Sequence, residues 1–296
     1  MRIFLLKKKH ALVSLLRDFI SAEVRTQYVV EKHHDWAVAG NGDTLPHVEA
    51  GEIPLIVSLT TYSHRINDVY LVVESILRQS VLPNRIILWL DEDEFADDTL
   101  PVLLKKQRRR GLEIMYYKNI RSYKKIIPTL ELTKECNIIT VDDDLIYPYD
   151  FIERFLRAYK KNPKCVYYYC GRRILHEGNR FRAYNKWPMV DSTTEQFDVL
   201  PTGAGGVFYP AGCFDDRVTD ESLFMELCPH ADDVWLRVMT MLKGYKCRKI
   251  EFSGSFNNYF AHIWRGQDIA LSNRNYFNNA NDTQVCAAFG RFEIYK

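Results

Sequence analysis

The sequence predicts an α/β fold, a Rossmann-like and mostly parallel central sheet flanked by helices, with a strand-rich second half. Three observations predict it. From residue 53 onward, short apolar runs rich in β-branched residues alternate with segments of helical period. The spacing between those runs implies βαβ units and hence parallel pairing. Acidic residues gather where two of the runs end, at 91–94 and 142–144, and open parallel sheets bind ligands at the carboxyl ends of their strands.

Taken in order, residues 1–50 read as an N-terminal extension: a helical stretch to about Glu31, then a loop carrying Gly40, Asn41, Gly42, Asp43 and Pro46. Residues 51–296 read as one domain of two halves, 51–150 and 151–296. Its first strand spans 53–59, and a helix follows over 68–79, where Val69, Val72, Val73, Ile76 and Leu77 fall on one face. The second strand, 85–90, runs into Asp91, and the next helix spans 99–110 with Pro101 in its first turn. A third strand at 114–117, a helix at 125–135 and a fourth strand at 138–141 lead to Asp142, Asp143 and Asp144. A helix then runs from Asp150 to about Lys161, strands begin at Cys165, a glycine-rich loop or tight turn covers 203–206, and a helix spans 232–242.

Composition narrows the function classes. With 47% hydrophobic and 26% charged residues in 296, the chain can bury a core and is not disordered. Its 40 Lys and Arg are nearly matched by 38 Asp and Glu, which gives no overall attraction to nucleic acid. The seven cysteines are odd in number and scattered without a CxxC pair, the usage of reduced thiols in a cytoplasmic protein. Lys7, Lys8, Lys9 and His10 split the apolar start, so no secretory signal is expected, and no run reaches the roughly 20 apolar residues of a membrane span. Two readings of this N-terminus stay open: a helix packed on the domain, and a basic peripheral contact with the inner face of a membrane.

Three motifs carry chemistry. At Asp142, Asp143 and Asp144 an apolar strand delivers adjacent carboxylates to its end, and two carboxylates on one turn can share a hard cation, Mn²⁺ or Mg²⁺, that keeps other positions for phosphate oxygens. At Asp232 and Asp233 an acidic pair opens an amphipathic helix; like charges raise one pKa, which suits a general base, although the helix dipole alone also favours acids there. Gly203, Gly205 and Gly206 permit close backbone approach to a ligand. That segment ends in no Gly-Lys-Ser or Gly-Lys-Thr and is not a Walker loop.

Together these motifs resemble the GT-A glycosyltransferases, in family-2-like members that build bacterial surface polysaccharides. The triple Asp resembles their DxD motif, the segment from Ile53 to Ile66 their opening strand and nucleotide loop, and Asp232-Asp233-Val-Trp-Leu236 the acidic pair of inverting members. The resemblance covers about 53–265. It implies a nucleotide-binding half at 51–150 and an acceptor half at 151–296. It further implies a nucleotide-sugar donor, UDP by preference, and a glycan or lipid-linked glycan acceptor. By the same resemblance Thr60, Tyr62 and Arg65 line the base and ribose pocket, Asp91 meets the nucleobase, and Lys124 or Lys125 meets the diphosphate. Asp142 and Asp143 contact the donor, Asp144 and Asp142 hold the metal with His262 completing the site, and Asp233, with Asp232 beside it, is the base. Gly203, Gly205 and Gly206 shape the donor-sugar and acceptor loop.

Two alternatives stand beside it: a retaining enzyme of the same fold, and a non-catalytic module that binds nucleotide-sugar or glycan. Binding alone needs no base, so the Asp pair weighs against the second. A nucleotidyltransferase needs a glycine-rich phosphate loop after its first strand, and residues 59–66 contain no glycine.

Overall fold

The computed structural model describes residues 2–42, 45–47, 52–133, 135–177, 180–264 and 280–295, with side chains described from residue 20 onward except at Ser21 and Ala280; Asp43 of the predicted loop and the basic side chains at 7–10 lie outside them. In chain order the elements are α1 (Arg2–Ala39), β1 (Leu55–Thr60), α2 (Val69–Ile76), β2 (Arg85–Asp91), α3 (Val102–Arg108), β3 (Leu112–Tyr117), α4 (Ile127–Leu132), β4 (Asn137–Thr140) and β5 (Leu145–Ile146). There follow α5 (Phe151–Tyr159), β6 (Cys165–Arg173), β7 (His176–Glu177), β8 (Arg180–Phe181), β9 (Val199–Tyr209), α6 (Glu221–Leu227), α7 (Asp232–Leu242), β10 (Lys246–Lys249), α8 (Phe256–Tyr259), β11 (Ala261–His262) and α9 (Ala280–Arg291).

Among the described residues seven strands form one sheet in the order β10-β6-β9-β4-β1-β2-β3. The pairs β1–β2, β1–β4, β2–β3 and β10–β6 are parallel, and β9 alone runs antiparallel to both its neighbours. The strands are apolar on both faces because both are covered. Ile56, Ile138 and Val207 pack on one side with Val234, Trp235 and Phe289 of the helices α7 and α9. Val57, Ile139 and Phe208, one residue on in each strand, pack on the other with Val72, Ile76 and Phe155 of α2 and α5.

Several boundaries differ from the sequence reading, each for a local reason. The first helix continues past Glu31 to Ala39 and ends at Gly40, whose φ of +68° lets its N–H reach the Trp36 carbonyl at 3.0 Å. Its final turns are pinned to the domain: His34 Nδ1 lies 2.8 Å from the Tyr70 hydroxyl, and Arg78 covers the Trp36 ring at 4.4 Å. The helix predicted from Lys125 instead begins at Ile127, since Pro128 is tolerated only in a first turn; Lys124 and Lys125 belong to a 3₁₀ turn, Arg121–Lys125, before it. The 203–206 segment, expected as a loop or tight turn, lies within strand β9. There Gly205 and Gly206 adopt φ of +80° and +88°, and the β6 register shifts between Tyr168 and Cys170, so the strand is bent rather than interrupted. No helix among the described residues is long and apolar enough to cross a membrane.

Candidate active site

A cavity of about 720 Å³ opens where β1, β2 and β4 end. Thirteen of the fifteen predicted site residues line it, from both halves of the chain: Thr60, Tyr62, Arg65, Asp91, Lys124, Lys125, Asp142, Asp143 and Asp144 from the first, Gly203, Asp232, Asp233 and His262 from the second. Gly205 and Gly206 do not. A Cβ on Gly205 would meet Tyr169, Phe256 and Phe260 at 3.0–3.2 Å, and one on Gly206 would meet Phe151 at 2.8 Å, so these two glycines serve packing under the cavity. Gly203 does serve the site: a Cβ there would stand 3.0 Å from Lys125 Nζ and 3.2 Å from Asp142 Oδ1.

The acidic turn after β4 is held from the segment that follows β1. Thr61 Oγ1 donates to Asp143 Oδ2 at 2.6 Å, while Arg65 donates to Asp143 Oδ1 at 2.5 Å and to Asp144 Oδ2 at 3.1 Å. Arg65 and Asp143 are each 7% exposed, and a buried charge needs its partner close by. Arg65, expected along the base and ribose pocket, therefore spends its guanidinium on the acidic turn, and Asp143, expected to contact the donor, anchors that turn. Burial pushes the Asp143 carboxyl up to about 6, against the pull of Arg65 and Thr61.

The two lysines diverge. Lys124 Nζ lies 3.0 Å from Asp91 Oδ2, and both side chains are buried. Lys125 Nζ lies 3.0 Å from Asp232 Oδ2 and 3.5 Å from Asp142 Oδ1. One or the other was expected to meet a diphosphate; in the structure each ammonium is paired with carboxylate, and Asp91, expected to meet the nucleobase, accepts from Lys124. Burial works to lower the Lys125 pKa, but Asp232, Asp142 and Asp233 together raise it well above the usual lysine value. Burial raises Asp142, and Lys125 opposes it.

Helix α7 presents its acidic pair unequally. Asp232 is buried and held, by Lys125 and by Ser122 Oγ at 2.8 Å. Asp233 is half-buried and accepts the Gly203 N–H at 3.1 Å. Burial and then the neighbouring Asp232 push the Asp233 carboxyl up to about 7, against Lys125 and the Gly203 N–H. A carboxylate raised in this direction suits proton transfer.

His262 reaches the site through a two-stranded sheet. It pairs with Leu145 of β5, and the next N–H, of Ile263, donates to the Asp144 carbonyl at 2.8 Å. Burial lowers its pKa, with Asp144 pulling the other way, which favours the neutral imidazole a metal requires. No group of three or more His, Cys, Asp or Glu among the described residues forms a ready cation cage. Asp142, Asp144 and His262, expected to hold a cation, share the cavity lining, where Asp142 faces Lys125 and Asp144 accepts from Arg65.

Sequence reasoning missed other lining residues. Arg121, at φ of +58°, donates to the Pro229 carbonyl at 2.7 Å and approaches the His230 ring at 3.3 Å. Thr61 was legible only as the neighbour of Thr60. Tyr184 and Asn281 carry no local signal, and tertiary packing alone brings them to the cavity.

No protein-family model and no curated protein matches the chain. Among solved structures, the CMP:2-keto-3-deoxy-manno-octonic acid synthetase complexed with CTP is similar at 11% identity and a TM-score of 0.39, over 69% of this chain and 91% of its own.

Proposed function

We propose that this chain is a metal-dependent glycosyltransferase that moves a sugar, with inversion, from a nucleotide-sugar to a hydroxyl of a glycan or lipid-linked glycan. UDP is the preferred carrier. The observation that supports this reading best is that the 142–144 turn and the 232–233 pair open onto one cavity and share Lys125 between them. One set suits diphosphate and metal, the other a proton acceptor, and transfer needs both within one substrate length.

Asp142 and Asp144, with His262, would hold the cation; when bound it neutralises charge on the leaving diphosphate. Tyr62 offers a ring to the base. Asp233 takes the proton of the acceptor hydroxyl as that oxygen bonds to the anomeric carbon, on the face opposite the breaking bond to the diphosphate. Asp233 has this role rather than Asp232 because Asp232 is tied to Lys125 and Ser122. The Gly203 N–H aims the Asp233 carboxylate.

Calorimetric titration with UDP and with GDP, each with and without manganese and repeated on Asp144→Ala, tests the reading. Metal-dependent binding of one nucleotide, abolished by the substitution, is the expected result. Binding of neither would overturn the UDP and GDP readings, and a product of retained anomeric configuration would remove Asp233 as the base.

A further inference from the structure

Part of the cavity wall comes from α9, beyond the 53–265 stretch that carries the family resemblance. Asn281, in the first turn of α9, is 9% exposed and lines the same cavity as Asp233. Its Oδ1 is buried and takes no hydrogen bond from any described residue. A buried acceptor without a donor is costly, and on a residue that lines a cavity a ligand can supply the donor.

The helix is fixed in place around it. Asp282 Oδ1 accepts the Tyr184 N–H at 2.6 Å, and Gln284 Oε1 accepts the His230 N–H at 2.8 Å. Val285, Ala288 and Phe289 are buried in the core on the α7 side. Both partners, Tyr184 and His230, line the cavity as well. Tyr184 stands near the base: burial and then the Asp233 charge raise its phenol to about 12, so it keeps its proton.

The chemistry of the missing partner follows from what an amide oxygen can accept. A carboxylate, or the diphosphate of a nucleotide-sugar, carries no proton at neutral pH and offers it nothing, whereas a sugar hydroxyl donates. We infer that the first turn of α9 forms the acceptor subsite, in which Asn281 Oδ1 accepts a hydrogen bond from a hydroxyl of a neutral sugar seated beside Asp233. This deepens the glycosyltransferase reading and rests on it for the word acceptor; the sugar contact itself stands on Asn281.

The probes are methyl glycosides of glucose, galactose, mannose and N-acetylglucosamine, followed by saturation-transfer NMR in the presence of UDP and manganese. Wild type engages at least one of them. Asn281→Ala, which suits a helix, weakens that glycoside about tenfold, the scale of one hydrogen bond, and leaves the nucleotide titration unchanged. Asn281→Asp keeps an acceptor oxygen in place and retains the glycoside. The inference is overturned if wild type engages no glycoside, if Asn281→Ala binds as wild type does, or if Asn281→Asp fails like the alanine. Glycoside binding that depends on Asn281 in a protein that binds neither UDP nor GDP would instead sink the donor reading and leave the subsite standing.

Discussion

The ammonium of Lys125 lies 3.0 Å from Oδ2 of Asp232. The pairing crosses from the turn before α4 to the first turn of α7, and it joins the two halves of the chain at the cavity floor. Its other neighbour, Asp142, makes the lysine the common counter-ion of both acidic motifs.

Lys125→Met leaves those carboxylates facing one another without a cation. The expected loss is about 3–5 kcal/mol in urea unfolding near pH 8, the scale of a broken buried pair. Near pH 5 the loss shrinks, because Asp233 is raised to about 7 and takes up its proton there. Lys125→Arg restores part of it.

Two adjacent aspartates differ in what holds them. Asp143→Ala strips Arg65 of its closer partner in a buried site and is expected to cost about 3–5 kcal/mol. Asp144 is 23% exposed, and Asp144→Ala is expected to cost about 1 kcal/mol or less while abolishing metal-dependent nucleotide binding. Chemical denaturation and calorimetry on both variants read the two effects.

Asp233→Asn trades function for stability. The folded-state pKa of about 7 stands above the ordinary 3.8, so the stability this group contributes is full below about pH 4 and is lost as pH rises through 7. Wild type is therefore expected to lose stability between about pH 5 and pH 8, and the asparagine variant to lose less. At pH 8 the variant melts higher than wild type, while transfer falls by a factor on the order of 10²–10⁴. Melting curves at the two pH values, beside a transfer assay, check both halves.

Two glycine substitutions in β9 act on different properties. Gly206→Ala sets a Cβ 2.8 Å from Phe151 at a φ of +88° and is expected to cost about 1–3 kcal/mol. Gly203→Ala crowds Lys125 and Asp142 and is expected to weaken nucleotide binding more than it lowers the melting temperature.

Much of the scaffold was legible because its signals are local. The 232–242 helix was predicted with the bounds it has, from an amphipathic period opened by acids, and the fourth strand from an unbroken apolar run. Strand β9 was not legible, because Pro201, Gly203, Gly205 and Gly206 all read as breakers; β4 and β6 impose extension on it from either side. Thirteen of the fifteen residues singled out in the sequence line the cavity, yet which lysine pairs with which aspartate depends on the 3₁₀ turn before Pro128 and on Arg121 at positive φ. Asn281 lay beyond reading, since its sequence neighbours say only that a helix begins.

The reversed strand β9 also dictates an order of assembly on the ribosome. Strands β1 to β4 can pair as soon as they emerge, but the outer edge of β4, Ile138 to Thr140, meets its partner only when Val207 to Tyr209 has been synthesised. Until then the nascent chain carries an apolar, hydrogen-bond-hungry edge, the kind of surface that recruits chaperones or aggregates. Truncations that stop before residue 199 are expected to be insoluble for that reason, although they contain every strand of the first parallel block.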